Sequence, residues 1–319
     1  MKHKLMNFLA KFENGKMGQS FPLDYFLPVY HCVSDERLPH LDHILQYKNV
    51  QQFEDDLDDL ASHFQFVTWD EFKDYFKGNF KPQKKIALLT FDDGLREFAE
   101  VAAPILERKG IYAINFINPA FIDNQDLMFR CKESLIVDTI KNSAVKNREI
   151  DADGILKIRY KDKNKLDDIA EKLGIDFNSY LKQQKPYLSF SQLQDLAKKG
   201  FGISAHSWDH PLYHELSTGD QLENTVRSIK YMKENNFLSD SFAFPFTDFG
   251  VGKVFFENLF EREQLSYTFG SAGIKVDCMN KNLHRIPMET GESASRTLQK
   301  EIAYYQFKEF LNKNILIRK

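Results

Sequence analysis

Residues 86 to 91 form a short apolar run, the signature of a strand buried on both faces in a parallel sheet. Leu95, Phe98, Ala102, Ile105 and Leu106 then recur at helical spacing, with Gly110 where a left-handed C-terminal cap would fall and with Pro104 inside the segment. Ile111 to Ile117 reads as the next strand. The alternation resumes at Ser189, which with Gln192 resembles a capping box ahead of an apolar stripe at Phe190, Leu193, Leu196 and Ala197 that ends at Gly200. Phe201 to Ala205 is the following strand. Ser217 with Asp220 opens a helix marked by Leu222, Val226 and Ile229. Strands are expected at Ser241 to Pro245, Leu265 to Phe269 and Leu283 to Met288, with a helix over Lys253 to Gln264. Repeated strand and helix units imply a parallel sheet, open or closed into a barrel.

Residues 1 to 83 carry one clear strand, Pro28 to Cys32, an amphipathic helix from about Val50 to Phe64, and a second helix capped by Thr68 or Asp70. Between 119 and 186 the chain is charged, with modest helical stripes at Leu135, Ile136 and Ile140 and at Leu166, Ile169 and Leu173. This reads as a helical insertion on a strand-to-helix loop, either a solvated decoration or a lid over a groove. The expectation is a single catalytic domain over 1–319, its barrel motifs in 84–118 and 187–290, ending in a C-terminal helix over 291–319.

With 43 basic and 46 acidic side chains the net charge is −3, which offers no footprint for nucleic acid. Cys32, Cys131 and Cys278 lack CxxC spacing and read as reduced thiols rather than a disulfide or zinc framework. No secretory signal and no stretch of about 20 apolar residues is seen, so a cytoplasmic protein without a membrane span is expected. The sequence sets no oligomeric state.

Two short motifs carry the chemistry. Thr90-Phe91-Asp92-Asp93-Gly94 puts adjacent carboxylates at the carboxyl end of a strand, where parallel α/β folds place active sites. One carboxylate can serve as a cation ligand while the other accepts a proton. His206-Ser207-Trp208-Asp209-His210-Pro211 follows another strand, and Pro211 disfavours a helix at His210, leaving a tight loop with two imidazoles. Imidazole and carboxylate ligands suit zinc and similar divalent ions. Ser207 reads as a loop hydrogen-bonding residue, since no base stands beside it in sequence.

In this order, TFDDG and HSxxHP resemble the first two motifs of the polysaccharide deacetylase (NodB-homology) family, over roughly Lys84 to Pro287 with the insertion between. The resemblance implies a distorted (β/α) barrel and hydrolysis of an acetyl group, N-acetyl before O-acetyl, from a carbohydrate or glycan precursor. It implies Asp92 as general base toward a water activated by the ion, and Asp93, His206 and His210 as ligands of a divalent metal, zinc first, with cobalt or another ion as alternatives. Phe244-Pro245-Phe246 resembles the third motif and suggests the Phe246 N–H as oxyanion donor. That motif often carries a base-orienting arginine, absent here, so Arg285 is expected to supply the guanidinium from another strand. Leu283-His284-Arg285 loosely matches the final motif and makes His284 the candidate acid, while His31 could border the site. Trp208, Tyr213, Phe246 and Phe249 lie in motif loops and could stack on sugar faces. Two other readings stay open: an amidohydrolase of small amides or cyclic ureides, and a non-catalytic carbohydrate-binding homologue.

Overall fold

A ring of short parallel strands lies at the centre of the computed structural model, which describes residues 2–9, 20–142 and 151–319. The strands are β1 (Pro28–Tyr30), β2 (Leu89–Phe91), β3 (Ala113–Ile117), β4 (Gly202–Ala205), β5 (Ser241–Ala243), β6 (Tyr267–Gly270), β7 (Asn282–His284) and β8 (Ile286–Pro287). Their spatial order is β7-β6-β5-β4-β3-β2-β1-β8, and every pairing is parallel. The two ends of that order are consecutive in sequence, separated only by Arg285. One extended segment thus bonds β6 on one side and β1 on the other, and the barrel nearly closes on itself: Arg285 N donates to Gly270 O at 2.9 Å and Ile286 N to Leu27 O at 2.8 Å.

Alternation along the strands separates two cores. Ile114, Phe116, Ala243, Phe269 and Leu283 pack within the barrel. Leu89, Phe91, Ala113, Ile117, Ile203 and Phe242 pack outward with helical residues such as Phe53, Leu57, Phe98, Leu106 and Leu193. Capping boxes close the starts of the helices Val50–His63 (Asn49 with Gln52), Trp69–Phe76 (Thr68 with Glu71) and Phe190–Lys198 (Ser189 with Gln192).

The run 86–91 is divided. Ile86–Ala87 pairs with Tyr25–Phe26 and Gln65–Phe66 in a separate three-stranded parallel sheet, and only Leu89–Phe91 enters the ring. The helix expected from Leu95 is also modified: Phe98–Ala102 is a π-helical turn, and the α-helix Ala103–Lys109 begins with Pro104 in its first turn. Proline has no N–H to donate, so it fits where helical donors are already free. Gly110 takes the left-handed cap at φ 65°. The helix Ala294–Phe310 does not exhaust the C-terminal region, because Ile315–Leu316 adds a short strand beside Val276–Asp277. No helix among the described residues is long and apolar enough to cross a membrane.

Between β3 and β4 the chain forms a helical layer. Phe129, Ile136 and Val137 of the helix Phe129–Asn142 pack with Ile155, Leu166 and Ala170, and Leu212 of the loop after β4 packs against this cluster. The layer also reaches Asp209, which accepts from Lys163 Nζ at 2.9 Å and from the Tyr160 hydroxyl.

The clearest test of the outer core is Phe53, fully buried with its ring 5.2 Å from Tyr30 and 5.8 Å from Phe91. Phe53→Ala is expected to cost about 3–5 kcal/mol, read from the shift of the urea unfolding curve; a shift under about 1 kcal/mol would show that the barrel does not depend on this contact.

Candidate active site

The functional side chains leave the barrel at the carboxyl ends of its strands: His31 after β1, Asp92 and Asp93 after β2, His206 to His210 after β4, Phe246 after β5 and Glu289 after β8. Their backbones are unusual. Among the described non-glycine residues with positive φ are Asp93 (74°), Ser207 (71°), His210 (58°) and Phe246 (55°), four site residues in left-handed conformations that each cost roughly 1–2 kcal/mol. Hydrogen bonds hold the turn after β4: Ser207 Oγ accepts from His210 N at 3.1 Å and from Asn118 Nδ2 at 3.2 Å. Gly94, at φ 65°, lets the chain pass close to Ile117, whose Cγ2 would lie 3.0 Å from an added Cβ.

These turns aim one atom each of Asp93, His206 and His210 at a common point, all within 4.8 Å of one another. Asp93 Oδ1 lies 3.1 Å from His210 Nε2 and 3.5 Å from His206 Nε2. His206 is buried, and its Nδ1 sits 2.9 Å from Ala243 O, a contact that places the ring proton on Nδ1 and leaves the Nε2 lone pair free. Nε2 of His206 and Oδ1 of Asp93 are buried without hydrogen-bond partners. Burial pushes the His206 pKa down to about 4, despite the opposing Asp92 charge, so the ring is neutral near pH 7. A neutral imidazole with a free lone pair beside an ionised carboxylate is the donor set of a divalent cation, and the residues fit one.

Beside this cluster, Asp92 and Arg285 form a bidentate pair, Nη1 to Oδ1 at 2.6 Å and Nη2 to Oδ2 at 2.7 Å, with both side chains buried. Burial alone would raise the Asp92 pKa; the Arg285 guanidinium, joined by His206 and His31, outweighs it and holds the carboxyl below its ordinary range. Asp92 Oδ2 faces His206 Nε2 at 3.6 Å. On the next strand, His31 Nδ1 lies 2.5 Å from Glu289 Oε2, and Glu289 Oε1 accepts from the His31 and Cys32 backbone N–H groups, both at 2.9 Å. Burial lowers the His31 pKa, but Glu289, followed by Asp93 and Asp92, lifts it to about 9. The site therefore combines an ionised, guanidinium-bound carboxylate, a protonated imidazole and three convergent side chains that could hold a cation.

The family model for polysaccharide deacetylase matches residues 79–249, more than half of the chain. The chain belongs to the polysaccharide deacetylase family. The family is one of carbohydrate deacetylases, hydrolases acting on carbon–nitrogen bonds, so the chain is an enzyme of that class. Among solved structures, the Streptococcus pyogenes deacetylase PplD in complex with acetate is 16% identical at a TM-score of 0.57, over 87% of this chain and 97% of that one. IcaB from Ammonifex degensii is 16% identical at 0.55, over 88% and 96%. The de-N-acetylase from Aggregatibacter actinomycetemcomitans is 15% identical at 0.54, over 86% and 99%. At such identities the likeness establishes the barrel fold. No curated protein sequence matches the chain.

Three candidate residues of this polysaccharide deacetylase, His284, Trp208 and Tyr213, are not brought to the site. His284 and Arg285 are neighbours on an extended segment, so their side chains point to opposite faces. Arg285 enters the barrel, whereas His284 Nε2 meets Asp277 Oδ2 at 3.0 Å in a buried network with Asp248, Asn282 and Arg318. Asp248, Asp277 and His284 also converge, but there the Arg318 guanidinium already supplies the positive charge. Trp208, half-buried, packs on the helix Thr218–Glu234, its ring centre 3.5 Å from the Arg227 guanidinium carbon. Tyr213 is fully buried and bonds Thr225. Phe246 does reach the site, with its ring 4.3 Å from His210 and Phe129 behind it at 6.1 Å. The sequence reading missed Glu289 and Asn118; the only available signal was that each lies within two residues of the end of a barrel strand.

The sign of the His31 shift gives a pH prediction. A pKa raised from 6.5 to about 9 means that protonated His31 stabilises the fold fully below pH 6.5, and that this contribution is lost as pH rises through about 9. The urea midpoint of the metal-free protein is expected to fall across that window, and the fall should largely disappear in Glu289→Gln; an unchanged slope in the variant would remove Glu289 as the cause.

Proposed function

We propose that this chain hydrolyses an acetyl group, N-acetyl in preference to O-acetyl, from an acetylated amino sugar or glycan precursor in a divalent-metal-dependent reaction. The observation that carries this is the convergence of Asp93 Oδ1, His206 Nε2 and His210 Nε2 next to a carboxylate that Arg285 keeps ionised. Asp93, His206 and His210 would hold the ion, zinc first and cobalt as an alternative, and when bound it supplies a Lewis acid that polarises the acyl carbonyl.

Asp92 is the base. Arg285 occupies both of its oxygens from within the barrel, fixing the carboxylate plane, while Oδ2 faces the ligand cluster and can take a proton from the attacking water. Arg285 does from the seam strand what a third-motif arginine would do from β5. The acid is His31 rather than His284. Its Nδ1 bond to Glu289 leaves Nε2 as the atom that delivers a proton to the departing nitrogen, and its raised pKa keeps that proton in place at neutral pH. The left-handed turn at Phe246 presents a backbone N–H for the developing oxyanion. A purely sugar-binding role gives no reason for an orphaned, buried imidazole nitrogen beside a guanidinium-clamped carboxylate.

Acetate release from N-acetylglucosamine oligomers should cease after chelation and return with zinc or cobalt. Asp92→Asn is expected to lower kcat by roughly 10²–10⁴ while bound metal per chain stays constant; sustained turnover would eliminate Asp92 as base. His31→Gln should lower kcat by a similar order, about 10²–10⁴, whereas folded His284→Gln retains turnover, and the reverse pattern would return the acid role to His284.

A further inference from the structure

Nine large hydrophobic side chains are exposed among the described residues, and eight of them fall in the segments 246–254, 276 and 310–317; only Phe76 lies elsewhere. The fold brings these segments together. Val276 and Ile315 are directly paired across two parallel strands, and Ile317, two residues on, shares their face. Lys253 N donates to Lys319 O at 2.9 Å, tying the 246–254 loop to the last strand. A groove of about 680 Å³ runs between Phe249 and Ile317, which are 75% and 80% exposed. Phe310, at 85%, extends the surface along the end of the C-terminal helix. A contiguous apolar surface of this kind, rimmed by polar residues, marks an interaction site.

We infer that this face docks the enzyme on an anionic lipid bilayer. Lysines outnumber carboxylates on the rim: Lys275, Lys308 and Lys313 border the surface and form no carboxylate ion pair among the described residues, against the exposed Glu309 beside Phe310, in a chain whose overall charge is −3. Lysines around apolar side chains match acyl chains beneath anionic headgroups. A two-fold contact between copies would instead set these like charges against one another. The surface is continuous with the catalytic rim, since Phe249 lies three residues beyond Phe246, whose ring contacts His210, and Ser271 Oγ, on the loop after β6, donates to Phe246 O at 2.5 Å. Docking there brings the Phe246 edge of the site near the bilayer, within reach of a glycan carried at a membrane surface.

Co-sedimentation with vesicles tests this independently of the deacetylase reading. The full chain should pellet with phosphatidylcholine vesicles containing phosphatidylglycerol, and not with phosphatidylcholine alone, and high salt should release it. Phe310→Ser with Ile317→Ser should weaken the partition roughly tenfold with the unfolding midpoint and the turnover of soluble acetylated oligomers unchanged. Lys275→Glu with Lys313→Glu should abolish the preference for anionic vesicles, which keeps the inference testable if the first pair perturbs folding. Wild-type protein that stays in the supernatant with both vesicle types overturns it, as does a dimer in sedimentation equilibrium that Phe310→Ser with Ile317→Ser dissociates.

Discussion

The pair between Asp92 and Arg285 is the constraint on which the rest of the structure depends. Both side chains are nearly free of solvent, so separating them would leave a bare charge in the barrel, a change worth about 3–5 kcal/mol. Arg285 is also the single residue between the two strand pieces that close the ring. The interaction that fixes the carboxylate and the backbone geometry that completes the barrel are therefore one feature. Barrel closure sets the reach of the guanidinium, and the guanidinium sets the plane of the carboxylate beside Asp93, His206 and His210.

Around this pair the site is made of turns rather than regular structure. Asp93, Ser207, His210 and Phe246 occupy left-handed conformations that a free peptide would avoid. They persist because neighbouring elements hold them: Asn118 and Ser207 brace the turn after β4, Asn224 accepts from Trp208 N at 2.7 Å, and Asp209 is gripped by Tyr160 and Lys163. The helical layer between β3 and β4 thus bears on the loop that carries both imidazoles. Rigidity has a chemical use here, since convergent lone pairs without internal partners would otherwise relax toward solvent or toward one another.

Much of the barrel was legible because parallel strands buried on both faces leave continuous apolar runs, and because Ser189, Thr68 and Gly110 sit at helix ends for local reasons. The two motifs that carry Asp92, Asp93, His206 and His210 were legible because each is contiguous in sequence. What could not be read was long-range. Thr90 and Phe91 enter the ring while Ile86 and Ala87, in the same run, pair elsewhere, a division set by Tyr25 and Phe26, about 60 residues away. That Arg285 and not also His284 reaches the site turned on strand phase: adjacent residues face opposite ways, and a one-residue shift exchanges them. Glu289 lies 258 positions from His31, and only the seam strand brings them together.

Closure through Arg285 also changes how the protein can meet other chains. Among the described residues the nearly closed ring leaves only the free sides of two strands of two or three residues, β7 and β8, so another polypeptide finds little ladder there to extend. The small outlying sheets also have open main-chain edges, and one of these, Ile315–Leu316, lies in the midst of the exposed apolar side chains. Recognition by the rest of the barrel is left to side chains and loops, which can vary with substrate or partner without disturbing the pairing that holds the ring together.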